Sequence, residues 1–302
     1  MKKRTLALLL VVTPVLVAVL VAGCETLQGL GTIAKAAGVN PNVVDGAVKS
    51  GESFMKAKEK LTPENEYYIG RAVTAQILGK YKPYDNRKAN DYLNTLGQAI
   101  AAFSDKPETY KGYHFLILDS EEVNAFAAPG GLILVTRGLI RCCRDEDALA
   151  AVVAHEVGHV QLEHGLRAIS ASRWTSFMKT VAVEAGKSLG GEALKEAVGA
   201  FEGSIDDISQ EMVNKGYSKK LEFEADKAAV AILTRSGYRP AGLTDMLTEL
   251  GRRTKPGGGW CGHTLPSPED RIAKAKAEIG STPDVAAPAA RKARFEKTMA
   301  GV

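Results

Sequence analysis

Apolar and polar positions along this chain change period several times, and each change marks an element. Leu6 to Val21 is a continuous apolar run broken only by Thr13 and Pro14. Beyond it, Val43–Lys60 shows a weak helical pattern. Thr62-Pro63-Glu64 is a helix start, with Thr as N-cap, Pro at the first position and an acid next. That helix is expected to run to about Leu78 and stop at Gly79. A second helix is predicted over Arg87–Phe103. Tyr113–Leu118 has a strand's composition, and Val123–Ala127 and Leu132–Thr136 read as two further strands around a Pro129-Gly130-Gly131 turn. From Ala148 to Leu162 the pattern is apolar nearly all round, which predicts a buried helix. Asp145 is its N-cap, Glu146 and Asp147 suit the positive end of its dipole, and Gly165 is its expected stop.

Residues 166–217 read as mainly helical, with breaks at Gly186, Gly190-Gly191 and Gly203. Ser218 caps a helix over Lys219–Arg235 that stops at Gly237, and Pro240 starts another to about Leu250. Lys255-Pro256-Gly257-Gly258-Gly259 is a loop. Ser267-Pro268-Glu269-Asp270 opens a last helix ending near Gly280. The pattern therefore divides the chain into a leader (1–23), a tether with one helix (24–60), a mainly helical α+β domain with a small sheet (61–280) and a poorly ordered tail (281–302). With 45% hydrophobic residues, a sizeable core is available.

Charge and cysteines refine this. The leader has a basic start (Lys2, Lys3, Arg4), an apolar stretch and the close Val21-Ala22-Gly23-Cys24, which fits a secretory signal. It also resembles a bacterial lipobox, in which Cys24 is lipidated and becomes the first mature residue. An uncleaved membrane anchor is the alternative, since the run is near the lower length limit for a span. Both place the domain outside the cytoplasm, and Glu25 after the cysteine leaves outer-membrane sorting open. Net charge is +4, but losing the three leader charges leaves 36 basic against 35 acidic residues, so nothing suggests nucleic-acid binding. Of the other cysteines, Cys142 and Cys143 are adjacent and poorly placed to bond each other. Either one could pair with Cys261, or all three stay unpaired.

The buried helix carries the chemistry. His155-Glu156-Val157-Gly158-His159 is an H-E-x-x-H motif. Two histidines four apart share one helix face and can reach a single Zn²⁺ ion, while Glu156 flanks the metal as a base for its water. Buried His and Glu are costly unless paired or metal-bound, which favours the metal over chance. A third ligand is needed. The longer H-E-x-x-H-x-x-G-x-x-H pattern is excluded, because Leu162 and Gly165 stand at its Gly and His positions. His164 lies roughly half a turn from His155 on a continuous helix, so it reads as a surface residue or at most as support behind a ligand. His114, in a strand, reads as structural. Glu184, Glu192, Glu196, Glu202, Glu211, Glu222 and Glu224 remain as candidates. Glu222 and Asp226 share one face of a helix with Ala225 and Ala229, so Glu222 could bind metal and Asp226 could accept an N–H from a ligating imidazole. Glu224 points away from that face.

These residues together resemble the M48 family of zinc metallopeptidases. The resemblance rests on His155–His159 followed by Glu222-Phe223-Glu224-Ala225-Asp226, on Asn124–Gly131, on Leu61–Glu66 and on Thr136-Arg137-Gly138-Leu139. It covers about residues 60–275 and is closest to a periplasmic, often lipid-anchored branch. It implies a zincin-like fold with Glu222 as third ligand. It also implies an endopeptidase of unfolded or misassembled envelope proteins, in a periplasm-facing outer-membrane setting that includes the outer-membrane assembly machinery. The segment Asn124, Ala125, Phe126, Ala127 would pair with an extended substrate. One departure stands out. The family's T-H-P-x-x-x-x-R pattern reads Thr264-Leu265-Pro266-Ser267-Pro268-Glu269-Asp270-Arg271 here. His263 either takes over the role of the missing histidine, gating or assisting at the metal, or that role is lost. The departure sustains an alternative, a zinc-binding lipoprotein acting mainly as chaperone or assembly factor. A serine or cysteine hydrolase is excluded for want of a G-x-S-x-G elbow or a triad.

Overall fold

The computed structural model describes residues 61–169, 202–253, 266–280 and 287–302. The leader with Cys24, the helix expected at 43–60, the stretch 170–201 and the loop holding Cys261, His263 and Leu265 lie outside the described residues. Among the described residues no helix is long and apolar enough to cross a membrane.

Helix α1 (Pro63–Lys80) opens on a capping box, in which Thr62 accepts from the Asn65 amide and Asn65 reaches back to the Thr62 amide. It outlasts its expected stop by one residue. Helix α2 (Arg87–Ala101) is capped by Asn86 and presents Ala89, Leu93, Leu96 and Ile100 to the core. Three strands follow, β1 (His114–Leu118), β2 (Ala125–Ala128) and β3 (Leu132–Thr136). The sheet order is β1-β3-β2, with β3 parallel to β1 (His114 opposite Leu132) and antiparallel to β2 (Ala125 opposite Val135).

The period of two puts alternate residues of the sheet into two separate cores. Ala127, Ile133 and Val135 join one with α2 and the metal-motif helix, while Phe126, Ala128 and Leu134 join the other with Ile69, Val73 and Ile77 of α1. The two sheet edges differ. Along β1, Asn94 accepts from the Phe115 amide and Asn90 from the Ile117 amide, at 2.9 Å each, and the Tyr84 amide takes the Ile117 carbonyl. Two asparagines four apart on α2 thus close that edge. The far side of β2 carries no strand among the described residues.

A short α3 (Arg137–Ile140) leads to α4 (Glu146–Gln161), the motif helix, in which every residue from Glu146 to Val160 is buried. Asp145 caps it as expected. Its stop is not Gly165: α4 ends at Gln161, Glu163 adopts a left-handed conformation (φ 55°), and Gly165 lies inside the following short helix α5 (His164–Arg167). Residues 202–210 are helical and run into a π-helical turn at Glu211–Lys215. Helices α6 (Lys219–Ser236), α7 (Ala241–Arg253) and α8 (Pro268–Ile279) complete the bundle around α4. Ser218 precedes α6, but its side chain makes no capping bond.

A further helix, α9 (Ala289–Met299), stands where the sequence suggested a loose tail, so α8 is not the last helix. The basic, Ala-rich stretch hid its purpose. Phe295, Met299 and Val302 are buried, while Arg291 and Arg294 reach Asp147 and Glu146 at the start of α4.

Close backbone approaches fix the turn after β2. A Cβ on Gly70 of α1 would lie 1.8 Å from the Pro129 carbonyl oxygen, and one on Gly165 would lie 3.3 Å from the Pro129 ring. Pro129 is therefore held between two positions that lack side chains.

Candidate metal centre

Helices α4 and α6 bring the motif to its partners. Gly158 faces the α6 backbone, where a Cβ would meet the Ala225 carbonyl oxygen at 3.0 Å and the Ala228 methyl at 3.2 Å. The absence of a side chain at Gly158 lets the helices approach. Glu222, one turn before Asp226, then reaches the histidines.

The Nε2 atoms of His155 and His159 are 3.0 Å apart. Glu222 Oε2 lies 3.4 Å from His155 Nε2, and its Oε1 lies 3.7 Å from His159 Nε2. Among the described residues, His155, His159 and Glu222 are the one group of three or more His, Cys, Asp or Glu side chains able to share a metal ion, and all three are buried. Glu184, Glu192 and Glu196 lie outside the described residues. Glu202, Glu211 and Glu224 do not join the cluster.

Do these residues fit a metal? Glu222 Oε2 is buried without a hydrogen bond. The Arg271 guanidinium passes 3.1 Å away without the alignment to make one. A buried carboxylate that makes no hydrogen bond through Oε2, and whose two oxygens each stand near one imidazole nitrogen, suits a metal ion shared with those nitrogens. The charges agree. Against burial and the charge of Arg271, Asp226 and Glu222 raise the His155 imidazole to about 9, so without metal this interior draws a proton where a divalent ion would supply the positive charge.

Asp226 and Arg271 support the cluster from behind. Asp226 Oδ1 stands 3.0 Å from His155 Nδ1. Arg271, on α8, grips Asp226 with two bonds of 2.8 and 2.7 Å. Burial opposes the Asp226 charge, yet Arg271 and His155 together hold its carboxyl well below the usual range. Nδ1 of His155 is thus committed to Asp226, leaving Nε2 for the pocket.

Glu156 is buried to 4% exposure beside the ligand cluster. Burial pushes its carboxyl up to about 7; Glu222 adds to this, while His155 and Arg271 oppose it. A carboxyl poised near neutrality is suited to taking and returning a proton. Burial, aided by the charges of His155, His164 and Arg271, holds His159 well below its ordinary value, so it is the neutral imidazole a metal requires.

Asn124, Ala125, Phe126 and Ala127 line the pocket together with Met212, Gly216 and Tyr217. The central cavity is about 30 Å³, room for about two water molecules. Tyr217 stacks on His159 with ring centroids 4.4 Å apart.

Sequence reasoning missed several of these residues. Arg271 stood in a quoted motif without a role. His164, read as a surface residue or at most as support behind a ligand, is fully buried behind His159. The half-turn offset assumed a continuous helix, whereas the chain reverses at Glu163. Glu224 does point away from the metal, toward His164. His114 is exposed and donates to the Lys111 carbonyl, away from the site. Cys142 and Cys143 are buried, with Sγ directed at the Gly138 and Leu139 carbonyls.

Comparison with known proteins agrees with this geometry. The chain is 26% identical over 212 residues to the β-barrel assembly-enhancing protease of Escherichia coli (strain K12), covering 70% of this chain and 43% of that protein. The chain thus spans under half the length of that relative. Metalloprotease LoiP of the same organism is 26% identical over 242 residues, 78% of this chain and 82% of LoiP. Metalloprotease YcaL is 26% identical over 253 residues, 82% and 87% respectively. The model of peptidase family M48 matches residues 87–279, and the chain belongs to that family of metalloproteases.

Proposed function

We propose that this chain is a zinc-dependent endopeptidase of the bacterial cell envelope, acting on unfolded or misassembled envelope proteins. The convergence of His155, His159 and Glu222 beside a sheet edge that carries no further strand among the described residues supports this reading. Two imidazoles and one carboxylate are a donor set of catalytic zinc sites. When bound there, zinc would polarise a peptide carbonyl and acidify water.

The protein's own groups do the rest. Glu156 takes a proton from the attacking water and passes it to the leaving amine. Asp226 holds His155 in the tautomer that keeps Nε2 bare. The outer edge of β2, beyond Asn124 whose backbone is bonded to Thr136, aligns an extended substrate by backbone pairing, which reads the absence of structure in the substrate rather than its sequence. That mode suits unfolded clients. Similarity to a β-barrel assembly-enhancing protease supports an envelope setting, with outer-membrane assembly machinery as a neighbour. A lipid on Cys24 would tether the domain there.

The test is proteolysis of casein and of an unfolded outer-membrane protein by wild type and Glu156→Gln. The variant should keep its zinc and lose roughly a hundred- to ten-thousand-fold in kcat/KM. Equal cutting by both, or none by zinc-loaded wild type, sinks the protease mechanism and favours the chaperone reading.

A further inference from the structure

The two histidines of the metal motif are held by different devices. Behind His155 stands a carboxylate, Asp226. Behind His159 stands another imidazole, with His164 Nδ1 at 2.8 Å from His159 Nδ1. Nε2 of His164 in turn lies 3.3 Å from Glu224 Oε2, and Arg167 Nη1 is 2.9 Å from the same oxygen. His164 is fully buried, whereas Glu224 and Arg167 are each about one-third exposed.

The chain of contacts permits one proton arrangement that leaves His159 able to ligate. Its Nε2 faces His155 and Glu222 and must be bare. The proton then sits on Nδ1 and is donated to His164 Nδ1. His164 must carry its own proton on Nε2, where Glu224 accepts it and Arg167 steadies the carboxylate. The reverse arrangement would place a proton on His159 Nε2, in the metal's position.

We propose that His164 is a positioning residue that fixes the tautomer and ring orientation of His159, with Glu224 and Arg167 as its outer support. This rests on the metal-site reading above and goes beyond it. It gives the second glutamate of Glu222-Phe223-Glu224 a separate purpose from the first. The left-handed turn at Glu163 is what folds His164 back over His159.

Three substitutions separate the hydrogen bond from mere packing. In His164→Asn the side-chain oxygen can stand near Nδ1 and accept from His159. In His164→Gln the amide reaches toward Glu224 instead. His164→Leu makes neither bond. Zinc affinity is measured by competition with a chromophoric chelator, and ligand geometry by the visible spectrum of the cobalt-substituted protein. The expected order is wild type, then Asn, then Gln and Leu together, with a 10- to 100-fold loss of affinity for the last two and an altered cobalt spectrum. Glu224→Ala, at a partly exposed position, should weaken zinc binding in the same direction with the fold intact by circular dichroism.

Affinities and spectra in the Gln and Leu variants equal to wild type would overturn the proposal, as would an Asn variant no better than Leu. A wild type that binds no metal overturns the metal reading itself. A wild type that binds while the His164 variants bind equally well overturns only the role of His164.

Discussion

At the scale of single residues, the charges behind the two histidines are answered by neighbours from other helices. Arg271 is the clearest case. Its guanidinium is buried among Asp226, Glu222 and His155, and it alone of the cluster comes from α8. Removing one partner of a buried ion pair leaves the other uncompensated, at a cost of about 3–5 kcal/mol. Arg271→Leu should lose stability of that order in urea unfolding. Arg271→Lys keeps the charge but not the two-pronged grip on Asp226, so it should fall between. A Leu variant as stable as wild type would show that Asp226 finds another counter-charge. Legibility at this scale followed the helical period. His155, Glu156 and His159 were visible because four residues return to one face, and Asp226 because it lies one turn from Glu222. His164 was not, because its place depends on the chain leaving the helix at Glu163. Arg271 was not, because partners 45 and 116 residues away leave no periodic trace.

Between elements, the decisive contact is the one between α4 and α6. Within the motif, Gly158 occupies a position free to vary as far as metal binding goes. In the structure it is constrained by the Ala225 carbonyl at 3.0 Å from a would-be Cβ. Gly158→Val should force the helices apart at a cost of about 1–3 kcal/mol, as overpacking does. Because Glu222 rides on α6, metal affinity should fall with it. Calorimetric unfolding and zinc titration of the variant check both, and an unchanged melting temperature and affinity would show that α6 can slide without loss. The elements themselves were largely readable from caps and breakers, including Thr62-Pro63, Asp145, Gly237 and Ser267-Pro268. Strand order was not. That β3 lies between β1 and β2 follows from α2's asparagines occupying β1's outer edge, which is a tertiary fact.

Across the whole molecule, the beginning of α4 and the far end of the chain are joined. Glu146, buried to 1% exposure, accepts from Tyr92 at 2.6 Å, from Tyr238 at 2.9 Å and from Arg294. Asp147 accepts from the Arg239 amide and from Arg291. Burial works against the Glu146 charge, but the bonds from Arg294, Tyr92 and Tyr238 prevail and lower its pKa. A carboxyl lowered in the folded state stabilises fully above its unfolded value near 4.3, and that stability is lost as pH falls through the folded value. Glu146→Gln should therefore cost about 1–2 kcal/mol at pH 7, allowing for the exposure of Arg294. The gap from wild type should close as the pH is lowered below about 4. Urea titrations at pH 7 and in the acid range test this; a gap that widens in acid would contradict it. The tail read as poorly ordered in sequence because its two arginines answer acids that lie 144 and 148 residues earlier.

The grip on Pro129 sets limits for anyone wishing to retarget the cleft. The turn after β2 is clasped between Gly70 and Gly165, so a bulkier residue there has nowhere to go without shifting α1 and the segment that carries His164. Met212, from the π-helical turn, also lines the pocket, beside Gly216 and Tyr217. A flexible thioether tolerates replacement better than a wedged proline does. New substrate preferences are therefore more readily evolved by altering Met212 than by recutting the strand or its turn.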